Sequence, residues 1–149
     1  MQRFRFSLSR VLEWRRQELM IKEDALGRMT AERISIEKAR QATVEEEHRL
    51  ARQAAASTSV FAEELAAFDA YRLFLQDRRR ELAGRVAQCD ERIDRQRQEI
   101  IEARRQMKLL ERLEQKQREE WRREWDHEQE SVAGELFLAR WNSRPSSGT

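Results

Sequence analysis

The stretch AAASTSV, residues 54–60, interrupts what is otherwise a nearly unbroken run of helix-forming sequence. Ser57, Thr58 and Ser59 compete with the backbone for hydrogen bonds, and Thr58 or Ser59 stands where it can cap a following helix. Glu63 and Glu64 then fall in the first turn of that helix, where the helix dipole favours acids. Read this way, the chain is all-α: a long antiparallel α-hairpin with helix one over about 7–56, a turn at about 57–59 and helix two over about 60–141. Residues 1–141 would form a single coiled-coil hairpin, with 142–149 as a disordered tail. A continuous helix through the break is the alternative left open.

Composition favours long helices over a fold with many loops. Of 149 residues, 39% are charged, the single proline is Pro145, and glycines stand only at 27, 84, 134 and 148. Loops need more turn residues than that. The net charge of +2 is the small difference between 30 basic and 28 acidic side chains, and the signs are interleaved. Interleaving is the mark of a solvated helical surface laced with i,i+4 pairs, not of the basic stripe that binds a phosphate backbone. Residues 1–16 are locally basic, with five arginines against Glu13.

Helix two carries the clearer seam. Alternating steps of four and three from Phe61 give Phe61, Leu65, Phe68, Arg72, Leu75, Arg79, Leu82, Val86, Cys89, Ile93, Gln96, Ile100, Ala103, Met107, Leu110 and Glu114. Twelve of these sixteen are apolar, the signature of a coiled coil. In helix one, Leu8, Leu12, Leu19, Leu26, Met29, Ile36 and Leu50 share a seam with Arg15, Lys22, Arg33, Arg40, Thr43 and Glu47. The polar members make residues 33–49 the expected place for a kink. Their aliphatic stems can still cover apolar surface.

The helices differ in length, so some thirty residues of helix two, about 45 Å, should project past helix one. Trp121 and Trp125 lie on that projection, four apart in a charged run, followed by Val132, Leu136, Phe137 and Trp141. Exposed aromatics on an unpaired helix predict a docking surface. The alternatives are that Phe4 and Phe6 fold back over the indoles or that the helix dimerises there.

Catalysis needs a converging cluster of side chains, and the sequence offers none. His48 and His127 are isolated on polar faces, and one cysteine with two distant histidines does not make a zinc site. No glycine-rich loop is present to cradle phosphate, and no cofactor is expected. The triplet Arg78, Arg79, Arg80 stands among acids, so nucleic acid is not an expected partner. No apolar run approaches a membrane span, which predicts no direct membrane insertion. A single cysteine and the lack of a signal-peptide pattern predict a cytoplasmic protein.

Two stretches resemble a known family. The opening FRFSLSRVLEWRRQE, through Phe6, Leu8, Val11, Leu12, Arg15 and Arg16, resembles the N-terminus of the flagellar export protein FliJ family. The stretch LLERLEQKQREEWRREWDHEQE resembles that family's C-terminal pattern at Leu110, Leu113, Arg118, Glu120, Trp121, Glu124 and Gln129. The segment AYRLFLQ resembles the family's segment near the hairpin at Tyr71 and Phe74. Arg78, Glu81 and Arg85 depart from the family's less charged pattern, and the tail EQESVAGELFLARW, from residue 128, is more apolar than the family's.

The resemblance implies a non-enzymatic stalk of the flagellar type III export apparatus, similar in architecture to the central stalk of rotary ATPases. The partners it implies are the hexameric export ATPase, the cytoplasmic domain of the membrane export gate and the export chaperones. The place it implies is the inner membrane at the flagellar basal body, peripherally associated. Residues carried over for ATPase binding are Phe4, Phe6, Leu8, Val11, Leu12, Arg15, Leu110, Leu113, Arg118, Trp121 and Trp125, and for the gate Tyr71 and Phe74. The alternatives are a substrate-holding chaperone, the homologous stalk of a virulence-type secretion system and a dimeric coiled-coil scaffold.

Overall fold

The structure, a computed structural model, describes residues 2–57 and 61–144. Those residues form two helices, α1 (Ser9–Ala56) and α2 (Ala62–Asn142), packed against each other with no strand among them. The turn residues Thr58 and Ser59, with any capping role, lie outside the described residues, as do 145–149 of the expected tail. The first intrahelical bond of α2 that is described is accepted by the Phe61 carbonyl from Leu65 N–H at 3.0 Å. α2 ends ahead of Pro145, which disfavours helix at the residue before it.

The chain divides into two compact units: Glu18–Glu102, and Met1–Gln17 with Ala103–Thr149. In the first unit the helices run antiparallel, so partner numbers fall as residue numbers rise. Gln96 donates to the Lys22 carbonyl at 2.9 Å, Arg33 pairs with Asp90, and Arg79 meets Glu47 at 3.1 Å. Its core is the seam of both helices: Ile36, Leu50, Leu75, Leu82, Cys89, Ile93 and Ile100 are buried. Met29, Leu26, Leu19, Phe68 and Val86 are half-buried on the same stripe.

No break interrupts 33–49, and α1 is continuous. Each polar seam residue is accommodated by a neighbour. Arg33 reaches Asp90 across the seam, Arg40 pairs with Glu37 one turn back at 2.6 Å, and Thr43 donates to the Ala39 carbonyl at 3.0 Å. Glu47 pairs with Arg79 through one carboxylate oxygen, while the other is buried without a partner. These groups remain half-buried, so the long side chains lie along the apolar seam and keep their charges near water.

Phe61 and Leu65, which spacing assigns to the seam, are 76% and 53% exposed. Beside Leu65, α1 offers Ala54, too small to cover it. In the other unit the seam continues through buried Leu12 and Ala103 and half-buried Met107 and Leu110. Arg16 meets Glu111 there at 3.3 Å, again antiparallel to the contacts of residues 2 and 4 described below.

Candidate protein-docking site

The unit formed by the two ends of the chain contains all eleven residues carried over for ATPase binding. α2 presents Arg118, Trp121 and Trp125 along one face, as spacings of three and four require. The indoles of Trp121 and Trp125 stack with centroids 5.7 Å apart and planes at 19°. Residues 2–8 precede α1 as non-helical chain and run back over this face. The Phe4 ring tilts against Trp121 at 6.0 Å, and Trp121 Nε1–H donates to the Gln2 carbonyl at 3.1 Å. Arg118 lies over the Phe4 ring at 5.1 Å and pairs with Glu114 at 3.1 Å. A guanidinium over a ring face is held by the ring's quadrupole.

The two indoles are therefore half-buried by their own chain. The fold-back onto Trp121 is present through Phe4, and both indoles keep part of their surface open. The uncovered part of α2 is also shorter than the expected thirty residues. Coverage persists to Trp125, and every described residue from 126 to 144 is exposed. That leaves roughly 25 Å of bare helix at about 1.5 Å per residue.

Within the carried-over set the roles divide. Phe6 and Leu12, 7% and 2% exposed, serve the interior and are closed to a partner without rearrangement. Phe4, Arg15, Leu110, Trp121 and Trp125 are half-buried. Leu8, Val11, Leu113 and Arg118 are open to solvent. Beside them stands Trp14, 54% exposed under the Arg15 guanidinium. Trp14 falls off the seam, which hides it from a periodicity reading and leaves it exposed.

The larger bare surface is the end of α2. Val132, Leu136, Phe137, Leu138 and Trp141 are all between 46% and 65% exposed. Phe137 and Trp141 stack at 6.3 Å, and Arg144 caps the Trp141 ring at 5.5 Å.

In the unit Glu18–Glu102, Tyr71 and Phe74 stack at 6.3 Å with planes 15° apart. The Tyr71 hydroxyl donates to Glu46 at 3.1 Å, and Arg49 holds the same carboxylate at 2.5 Å. The Arg49 hydrogen bonds, aided by Tyr71, pull the Glu46 carboxyl down to about 2, and Glu46 in turn raises the Tyr71 phenol. Phe74 is 61% exposed, alongside the open Leu73, Leu65 and Phe61. A groove of about 490 Å³ runs beside Leu50, Ala54, Leu65, Phe68 and Tyr71.

Among the described residues, no group of three His, Cys, Asp or Glu is placed to hold a metal, and no helix is long and apolar enough to cross a membrane. Comparison of the chain with protein-family models, with curated proteins and with solved structures gives no match.

Proposed function

We propose that this chain is a non-enzymatic stalk of a flagellar-type protein export apparatus, binding the export ATPase ring through its paired ends and the export gate through its hairpin. The observation that carries the reading is the aromatic assembly Phe4, Trp121 and Trp125, capped by Arg118, beside the open Leu8, Val11 and Leu113. It joins the two stretches that resemble the family into one surface at one end of the helix pair. Tyr71 and Phe74, stacked and open, supply an apolar face of the kind the gate contact needs. A stalk acts on a ring by touching its subunits differently in their different states, so it needs side chains offered outward and no catalytic group of its own. In this reading the chain stands at the cytoplasmic side of the inner membrane, peripherally associated, and export chaperones are further partners.

The test titrates the cognate export ATPase with the wild-type chain and with Trp121→Ala/Trp125→Ala, following ATP turnover and ring assembly. The expected outcome is stimulated assembly by wild type and its loss in the double variant, with helicity retained. A competent ATPase that ignores the wild-type chain defeats the reading and favours a scaffold or substrate-holding chaperone.

A further inference from the structure

We propose that the end of α2, residues 124–141, bare from 126 onward, docks on the N-terminal segment of a second copy of this chain, forming a reciprocal two-fold dimer. The proposal goes beyond the stalk reading and does not rest on it, since it concerns the isolated chain.

The first observation is the width of the apolar surface. At about 100° per residue, Val132 and Leu136 lie on one side of the helix, Phe137 and Trp141 on the next, and Leu138 beyond them. Glu135 and Arg140 are the only charged residues in 132–141. A helix apolar around most of its circumference is normally enclosed, not solvated. The five large side chains expose on the order of 600 Å², the upper end of what a soluble monomer shows. One segment laid along the helix covers less than the roughly 800 Å² per partner of a stable interface, whereas a reciprocal dimer uses the contact twice.

The second observation is charge. Residues 124–139 hold five acids, Glu124, Asp126, Glu128, Glu130 and Glu135, and no lysine or arginine. Residues 1–16 hold five arginines against Glu13. Arg3, Arg5 and Arg10 are exposed, as are Leu8, Val11 and Trp14. Leu8 stands just before α1, and Val11 and Trp14 lie in its first turns off the line of buried Leu12.

The third is order along the chain. In the C-terminal segment the acids of 124–130 come first and the apolar residues of 132–141 follow. In the N-terminal segment Arg3 and Arg5 come first, and Leu8, Val11 and Trp14 follow. Laid side by side in the same direction, acids face arginines and apolar faces apolar. Within the unit, α1 runs antiparallel to α2. A foreign α2 lying parallel to α1 is therefore antiparallel to the resident α2, which is the relation a two-fold axis across the helices generates. Within the chain, Gln2 and Phe4 of the N-terminal segment are engaged with Trp121.

Sedimentation equilibrium of the full chain tests the proposal. The expected mass is twice 17.9 kDa at high concentration, with an affinity that falls as salt rises. Leu136→Glu with Trp141→Glu should weaken the dimer at least about tenfold with helicity unchanged. Arg3→Glu with Arg5→Glu, outside both helices, should weaken it too, and Glu124→Arg with Glu130→Arg should restore it. A chain that stays at 17.9 kDa at its solubility limit overturns the proposal, as does a dimer insensitive to both sets of changes. A monomer that floats with phosphatidylglycerol vesicles also overturns it, and gives the face to lipid.

Discussion

α2 carries two aromatic pairs at the same spacing with different fates. Trp121 and Trp125 stack at 5.7 Å, and Phe137 and Trp141 stack at 6.3 Å. Each pair meets its partner because residues four apart share a helix face. Trp121 and Trp125 are half-buried, yet Phe137 and Trp141 are 65% and 59% exposed. Residues 2–8, at the other end of the chain, reach Trp121 through the Gln2 carbonyl and the Phe4 ring, and Trp125 stacks on the indole so covered. Local spacing decides that an aromatic pair forms, and remote chain decides whether it is covered.

The comparison breaks most completely if the covering segment lets go. Phe6 is the one buried residue among 2–8, and its ring anchors the segment. Phe6→Ala should cost about 3 kcal/mol of local packing and release residues 2–8. In a chain retaining Trp121 as its only tryptophan, acrylamide quenching should then rise to the level shown by Trp141 alone. Quenching that stays low would mean that Phe4 and the Gln2 carbonyl hold the segment without Phe6.

A smaller effect sharpens the same contrast. Trp121→Ala removes the Phe4 contact, the stack with Trp125 and the hydrogen bond to Gln2. It should cost about 1–2 kcal/mol in urea unfolding. Trp141→Ala, at concentrations where the chain is monomeric, should stay within about 0.5 kcal/mol, because an exposed ring has little packing to lose. Equal costs for the two would remove the distinction between covered and bare pairs.

Much of this was legible in the sequence. The alternating steps of four and three picked out Leu75, Leu82, Cys89, Ile93, Ile100 and Ala103, all buried. In α1 the same rule held even for Arg33, Arg40 and Glu47, because a long side chain obeys the period with its stem while its head finds an ion pair. The failures lie where period carries no information. Residues 2–8 are not helical, and the contact of Gln2 with Trp121 spans 119 positions. Phe61 and Leu65 keep the right period and stay exposed, and Ala54, beside Leu65, is too small to cover it. A seam read from one helix assumes a partner of adequate size on the other.

A third pair, Tyr71 and Phe74, adds a polar tether to the comparison. It is stacked at 6.3 Å and fixed to α1 by the Tyr71 hydroxyl on Glu46. Glu46 titrates at about 2 in place of 4.5, chiefly because Arg49 hydrogen-bonds its carboxylate and secondly because Tyr71 does. A depressed carboxyl stabilises the fold above its unfolded value, and that contribution disappears as pH falls from about 4.5 through about 2. Within that window the Tyr71 tether weakens, while the Trp121 tether, made to an uncharged carbonyl, stays as it is. The side-chain carbon shift of Glu46, followed by NMR, should show its midpoint rising in Arg49→Ala and rising less in Tyr71→Phe. The small size of the second change follows from the donor's charge. A guanidinium makes two charge-assisted hydrogen bonds to the carboxylate, so it shifts Glu46 more than the single neutral hydroxyl does. A larger rise in Tyr71→Phe than in Arg49→Ala would reverse this order and make the aromatic pair, not the arginine, the group that fixes Glu46.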